Sequence, residues 1–305
     1  MSACLLAGCA AERPSRFTFH VHQVSHVRGH PLVNNAADKE TDIILRLDLL
    51  EEDETGTVVQ VTIDSIKASM SSLGIRCAYH IEEIENVIKS DRVKKHQANY
   101  LKVFEGLEGA SFKAQVDRDG NVVQWMAMDE PLKPISAGAQ RGQIGKDQVA
   151  MVLGKTNLAE YAAMGWALPG RLVRARVKDQ WTTGGVLIVP DVKKSVTIEK
   201  SYTLDEILDE KAEKIVKIDV QIRDNKDKDA DKSATPRATG LLVDKVEGQG
   251  QVLCSLTHGH MIKSEETVKI PVSASVGRTA QNKKNPNAIK MYFETITTID
   301  LIDME

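Results

Sequence analysis

"LDLLEEDETGTVVQVTIDSI", residues 47–66, is the stretch that decides the fold. Its two arms flank the polar sequence "DETG", and Val59, Val61 and Ile63 alternate with other residues in the second arm. Residues two apart share one face of a β-strand, so this alternation predicts a strand with one buried face. Gly56 provides the unusual backbone angles that a tight turn needs. The stretch therefore predicts an antiparallel hairpin.

A second stretch, "LDEILDEKAEKIVKIDVQIR" at residues 204–223, has the same pattern. Both begin with leucine and aspartate, continue through an acidic turn and end in alternating aliphatic residues. Each precedes, after a loop, a strand-like run that carries a cysteine, Cys77 in one case and Cys254 in the other. This favours an internal duplication. We expect a mainly antiparallel β protein with a few helices (α+β), in which two similar curved sheets or half-barrels are joined by a helical middle segment.

The rest of the chain fits four segments. Alternation in "FTFHVHQV" predicts a strand from Phe17, and residues 29–42 are read as a polar loop before the next strand. Helical spacing appears between about residues 84 and 107, with Ser90 as the cap. The predicted segments are a signal remnant and tether (1–16), an N-terminal β-rich half with one helix (17–145), a helical connector (146–185) and a C-terminal β-rich half (186–305).

Composition excludes several classes of function. The 305 residues carry a formal net charge of −3 with both signs mixed, so a general polyanion-binding surface is not indicated. Aromatic residues make up 4% of the chain, too few for base-stacking platforms, and we expect no nucleic-acid partner. No histidine and acid stand in a recognisable nucleophile context, and "GKT" at 154–156 lacks the upstream glycine pattern of a P-loop, so no credible catalytic set is present. We therefore expect a protein that is not an enzyme.

The N-terminal sequence bears on localisation. Leu6-Ala7-Gly8-Cys9 has the form of a lipobox, in which the cysteine receives diacylglycerol. This predicts lipidation at Cys9 and a protein anchored in a bacterial cell envelope that faces the periplasm or the exterior. Only five residues, without lysine or arginine, precede the box, so the export signal is incomplete. If that signal is not functional, the protein is expected to be cytoplasmic.

Three further patterns carry a resemblance. They are a hairpin with Gly109, Phe112, Gly120 and Val122, then Leu168, Pro169 and Trp181 ahead of a strand, and then Tyr202, Thr203 and Leu204. Together they resemble an uncharacterised family of bacterial cell-envelope proteins of unknown function, which are often lipoproteins. The similarity spans most of residues 17–303. It implies an envelope location and a β-rich fold, and it assigns no catalytic residue.

Histidines are the best candidates for metal binding. His20 and His22, and likewise His258 and His260, are two residues apart and so project from one face of a strand. Each pair is a two-ligand clip for zinc or copper, and all four imidazoles can converge if the two halves pair in space. The simpler alternative is that these histidines occupy the polar face of half-exposed strands.

Cysteines offer two readings. Cys77 and Cys254 remain as a pair if the N-terminal cysteines are lipidated or removed, and in an oxidising compartment they can form a disulfide. Both also stand among alternating apolar residues, as buried small hydrophobic side chains do.

These observations predict a non-catalytic bacterial envelope lipoprotein that binds an amphiphile or a partner envelope protein in a groove of its β-sheets. Carriers of lipoproteins offer a fold-level analogy for such a groove. The alternatives are a metal-binding periplasmic protein or metalloenzyme that uses the strand histidines, and a structural envelope scaffold. Apart from that zinc or copper, we expect no cofactor.

Overall fold

A computed structural model describes most of the chain. The described residues are 14–29, 37–53, 56–72, 75–81, 90–136, 145–166, 176–189, 194–210, 213–225, 241–243, 245–274 and 289–305. The strands are β1 (Arg16–Arg28), β2 (Ala37–Glu52), β3 (Gly56–Ser72), β4 (Ile75–Tyr79), β5 (Ser111–Asp117), β6 (Val122–Met128), β7 (Gln180–Val189), β8 (Lys194–Glu210), β9 (Glu213–Asp224), β10 (Leu241–Val243), β11 (Glu247–Ser255), β12 (His260–Ala274) and β13 (Ile289–Met304). The helices are α1 (Asp91–Phe104), α2 (Lys133–Ser136), α3 (Lys146–Leu153) and α4 (Lys155–Ala163), with a 3-10 turn at Met164–Trp166.

All described strands belong to one antiparallel sheet. Its order is β6-β5-β3-β2-β1-β13-β12-β11-β9-β8-β7, with β4 added to β3 and β10 added to β12. The first and last strands of the chain pair at its centre, where Val21 lies opposite Ile299. Antiparallel β structure is confirmed, but the prediction of two sheets joined by a helical middle segment is wrong. The hairpin patterns are local, and they carry no information about the pairing of β1 with β13.

The two similar stretches do form equivalent hairpins within this sheet. Leu47 lies opposite Val61 in the β2–β3 pair, and Leu204 lies opposite Ile218 in the β8–β9 pair, with the same separation along the chain. All four side chains are fully buried. Each hairpin also contains a register shift close to its acidic turn. The shared sequence pattern therefore encodes a shared pairing.

The helices pack on one face of the sheet and make it curve. We call this face the inner face and the opposite one the outer face. Helix α4 contacts β6 and β7, the two edge strands, so the sheet bends far enough for both edges to reach one helix. At the β7 edge the Val186 amide donates to Thr156 Oγ1 over 3.1 Å. Tyr100 and Phe104 of α1 are fully buried in the same core as Phe17 and Leu47 of the strands.

One buried polar side chain fixes helix α3 on the sheet. The Gln148 amide nitrogen donates to the Glu40 carbonyl and to Thr41 Oγ1, both over 2.8 Å, and to the Ser69 carbonyl over 3.1 Å. Its amide oxygen accepts from the Tyr100 hydroxyl over 2.9 Å. Buried polar groups cost free energy unless they are hydrogen-bonded, so this network links α1, α3, β2 and β3 in one arrangement.

Candidate functional site

The structure separates the two predicted histidine pairs. His20 and His22 lie on the outer face of β1, because the alternate residues Phe17, Phe19 and Val21 are fully buried on the inner face. His258 lies in the turn before β12, and His260 is the first residue of that strand. The His260 ring is 2% exposed and packs on Phe17, with 5.3 Å between the ring centroids. The four imidazoles therefore do not converge, because His20 and His22 project from the outer face whereas His260 lies on the inner face.

His20 and His22 meet at one carboxylate of the neighbouring strand. Asp42 of β2 lies directly opposite His22. Its Oδ1 atom is 2.9 Å from His20 Nε2 and 2.9 Å from His22 Nδ1. All three side chains are about one-third exposed, so solvent reaches the cluster. The prediction that these two histidines share a face is consistent with this arrangement, and Asp42 was not predicted.

Glu40 completes a set of ligand atoms. One ligand atom from each of His22, Glu40 and Asp42 can be chosen so that all three lie within 4.8 Å of one another. Glu40 and Asp42 were missed because residues 29–42 were read as a loop, whereas β2 begins at Ala37. The signal that could have found them is the alternation of Asp38, Glu40 and Asp42, which places three carboxylates on one face of a strand. We call His20, His22, Glu40 and Asp42 the outer cluster.

The cysteines are separate in the structure. Cys77 on β4 and Cys254 on β11 are both fully buried, and both are free thiols. Burial raises the pKa of the Cys77 thiol, and it raises that of Cys254 to about 12. Both cysteines therefore agree with the alternative hypothesis, in which they act as buried small hydrophobic side chains. The predicted lipidation site, Cys9, lies outside the described residues.

An ion triad around a buried lysine lies on the inner face. Lys200 Nζ of β8 is 2.7 Å from Glu160 Oε1 of α4 and 2.8 Å from Glu266 Oε2 of β12. Burial alone would lower the pKa of Lys200, but the two carboxylates outweigh it and raise that pKa well above its ordinary value. The lysine therefore stays charged. We call Lys200, Glu160 and Glu266 the inner triad, a feature that the sequence analysis did not identify.

Apolar side chains adjoin the inner triad. Ile198 and Val268 stand two residues from Lys200 and Glu266, and both are buried, as Lys200 is. They belong to a second apolar cluster, which is distinct from the helix-covered core. Its members are Val27, Ile198, Val220, Ile222, Val246, Val268, Ile270, Val272 and Phe293. All except Val246 are strand residues, and so are the partly buried side chains packed on them, as far as the chain is described.

A cleft of about 360 Å³ lies elsewhere, at the tip of the β2–β3 hairpin. It is lined by Glu51, Glu52, Asp53, Gly56, Val58 and Gln115. Carboxylates dominate this lining, so the cleft does not match the predicted apolar groove. Among the described residues, no helix has the length and apolar character needed to span a bilayer.

Comparisons with known proteins give similarities of shape alone. No protein-family model matches the chain, and no curated protein matches it. A structure of lipovitellin that concerns its lipid–protein interactions aligns with 96% of this chain at 5% identity and a TM-score of 0.46. This chain spans 26% of that lipovitellin chain. An outer membrane channel from Pseudomonas putida F1 aligns with 97% of this chain and 98% of its own length, at 8% identity and a TM-score of 0.18. At these scores neither likeness bears on function.

Proposed function

We propose that the protein is a non-catalytic, lipid-anchored envelope protein that binds an amphiphile on the inner face of its sheet. The observation that carries this proposal is the second apolar cluster, whose described members and packing partners come from strands and the segment before β11. The helices fill the other part of the inner face, where Tyr100, Phe104 and Leu158 lie in the first core. The members of this cluster are at most 8% exposed, and α4 reaches its border through the Glu160–Lys200 ion pair, so the apolar chain of an amphiphile would insert among these strand side chains.

The inner triad gives this surface a polar border. Lys200 and Glu266 lie beside Ile198 and Val268, so charged and apolar groups follow one another along the same strands. Two carboxylates and one ammonium carry a net charge of −1 when all are ionised. An amphiphile matches such a surface because it joins an apolar chain to a polar head, and binding sites combine apolar walls with a few placed polar groups. A head group that donates hydrogen bonds suits the carboxylates best.

The anchor is the second part of the proposal, and it comes from the sequence. Leu6-Ala7-Gly8-Cys9 would attach the protein to a membrane through diacylglycerol, with the sheet facing the periplasm or the exterior. A tethered protein meets membrane amphiphiles at high local concentration, which suits a binding role. Metabolic labelling with a radioactive fatty acid tests this part. Cys9→Ser should abolish the label, whereas Cys4→Ser, the matched control, should keep it.

Binding is tested with the purified full-length protein and a fluorescent monoacylglycerol, whose hydroxyl head group donates hydrogen bonds. We expect saturable binding, and native mass spectrometry should show one bound probe per chain. Ile270→Asn places a polar amide in the second apolar cluster and should weaken binding at least about tenfold. Ile302→Asn is the matched control, because Ile302 is 54% exposed, and it should bind like the wild type.

Circular dichroism and thermal melting show that each variant remains folded. If Ile270→Asn does not fold, Val268→Ala, which only deepens the surface, replaces it and should change probe affinity relative to a Val123→Ala control on exposed β6. An absence of saturable binding by the wild type would contradict the proposal. Equal affinities in the cluster variant and its control would also contradict it.

A further inference from the structure

We propose that the outer cluster binds one divalent transition-metal ion, with His22, Asp42 and Glu40 as ligands and His20 as the fourth group. This inference is independent of amphiphile binding, because the cluster lies on the opposite face of the sheet.

The first argument is distance. Zinc holds nitrogen and carboxylate oxygen at about 2.0–2.2 Å, so two ligands of a tetrahedral ion are roughly 3.3 Å apart. Both imidazoles lie 2.9 Å from Asp42 Oδ1, and the ligand atoms of His22, Glu40 and Asp42 lie within 4.8 Å of one another. The spacing of roughly 3.3 Å that a tetrahedral zinc ion requires lies between the observed 2.9 Å and the limit of 4.8 Å.

The second argument is charge. In the described part of the chain, no lysine or arginine forms an ion pair with Asp42 or Glu40. Neighbouring carboxylates on this face are neutralised, since Asp38 pairs with Arg28 over 2.8 Å and Asp300 pairs with Lys263 over 3.5 Å. Lys67 of β3 lies opposite Asp42 in the register but forms no ion pair with it, so the two carboxylates, with neutral imidazoles, leave the cluster negatively charged. A divalent cation compensates that charge.

The third argument is the scaffold. β1 is paired on both sides, with β2 and with β13, at the centre of the sheet. His20 and His22 therefore project from a strand that is fixed along its length, and Asp42 lies directly opposite His22. Sites built on strands hold their ligands more closely than sites on loops do. The ion thus meets ligands that are already oriented.

The donor set selects the class of ion. Two imidazole nitrogens with two carboxylates suit zinc, copper, nickel or cobalt, whereas magnesium and calcium prefer oxygen ligands alone. The affinity of such sites rises toward copper along the first-row divalent series. Partial exposure of the ligands leaves room for water or an exogenous group in the coordination sphere.

Isothermal titration of tag-free protein with zinc chloride at neutral pH tests the site. We expect one ion per chain with micromolar or tighter affinity, and no heat of binding with magnesium chloride. His22→Gln and Asp42→Asn should each weaken zinc binding at least about tenfold. His26→Gln is the matched control, because His26 lies on the same face of β1 but bonds to Asp38 over 2.7 Å. It should bind zinc like the wild type.

X-ray absorption of the zinc-loaded protein gives a second readout, which should show nitrogen and oxygen ligands without sulfur. The proposal is overturned if the wild type binds no zinc saturably, or if the His26 and His22 variants lose affinity equally. Sulfur in the first coordination shell would overturn it as well. Binding of the fluorescent monoacylglycerol by the same variants should not change, so failure here is distinct from failure of the proposed function.

Discussion

Replacement of Lys200 by methionine should destabilise the fold by leaving two carboxylates without their cation. The lysine side chain is 7% exposed, and Glu266 is 17% exposed. Both carboxylates contact the same Nζ atom, at 2.7 Å and 2.8 Å, so no second cation replaces it within the triad. Methionine keeps the length of the apolar stem and removes the charge alone.

The expected magnitude follows from burial. Removal of one partner from a buried ion pair costs about 3–5 kcal/mol, because the remaining charge stays poorly solvated. Glu160 is 38% exposed, so water can solvate its carboxylate once the lysine is gone. We therefore expect a loss of unfolding free energy at the lower end of that range, about 3 kcal/mol. With an unfolding entropy typical of a chain of this length, that loss lowers the melting temperature by about 5 °C.

Urea denaturation followed by circular dichroism measures the effect. Lys245→Met, which removes an exposed pair with Glu247 at 2.6 Å, is the matched control and should leave the unfolding free energy nearly unchanged. The triple variant Lys200→Met with Glu160→Gln and Glu266→Gln contains no buried charge in the triad. It should recover most of the lost stability.

Two outcomes would refute this reasoning. If Lys200→Met is as stable as Lys245→Met, the carboxylates are not isolated by burial. Alternatively, the triple variant could be as unstable as Lys200→Met. The loss would then come from packing around the lysine stem and not from unpaired charge.

Four further predictions concern single positions. Gln148→Ala should cost about 3 kcal/mol in urea denaturation, since it removes the hydrogen bonds that hold α3 to the sheet. Gly250→Ala should cost about 1–3 kcal/mol, because the added Cβ would collide with the Glu265 carbonyl oxygen. The added Cβ of Gly184→Ala meets no atom within 4 Å, so this control should be nearly neutral. Burial alone would raise the pKa of Asp38, but hydrogen bonds from His26 and Arg28 outweigh it and lower that pKa below its ordinary value. The ionised carboxylate should therefore stabilise the fold at neutral pH, and this contribution should be lost as the pH falls through the lowered pKa. The difference in unfolding free energy between wild type and Asp38→Asn should shrink there. Cys254 should resist thiol reagents at about pH 8 until the protein unfolds, because burial raises its pKa to about 12, and mass spectrometry of the labelled peptide checks this.

Local sequence signals predicted several elements correctly. The acidic turn before Gly56 joins β2 and β3, and "RDGN" at 118–121 joins β5 and β6, where Asp117 accepts from the Asn121 amide over 2.8 Å. Ser90 caps α1 by accepting from the Val93 amide over 3.4 Å. Each signal depends on residues a few positions apart, so the interaction that fixes the structure is visible in the sequence.

The site shows where local signals end. Spacing alone placed His20 and His22 on one face, because side chains alternate along any strand. It did not indicate Asp42, since that residue joins the cluster only through the register of β2 against β1. Likewise, Lys200 meets Glu160 and Glu266 because the sheet curves around α4, which no short pattern predicts.

The sequence by itself therefore determined the antiparallel hairpins, the cap of α1 and which side chains share a face. These features follow from turn chemistry and from the two-residue period of a strand. Only the tertiary structure decided that β1 and β13 join everything into one sheet, that His260 lies inward and that the outer cluster includes Asp42 and Glu40. The physical reason is that periodicity fixes the face of a residue, whereas the neighbour it meets depends on strand order and register, which are set by packing of the whole chain.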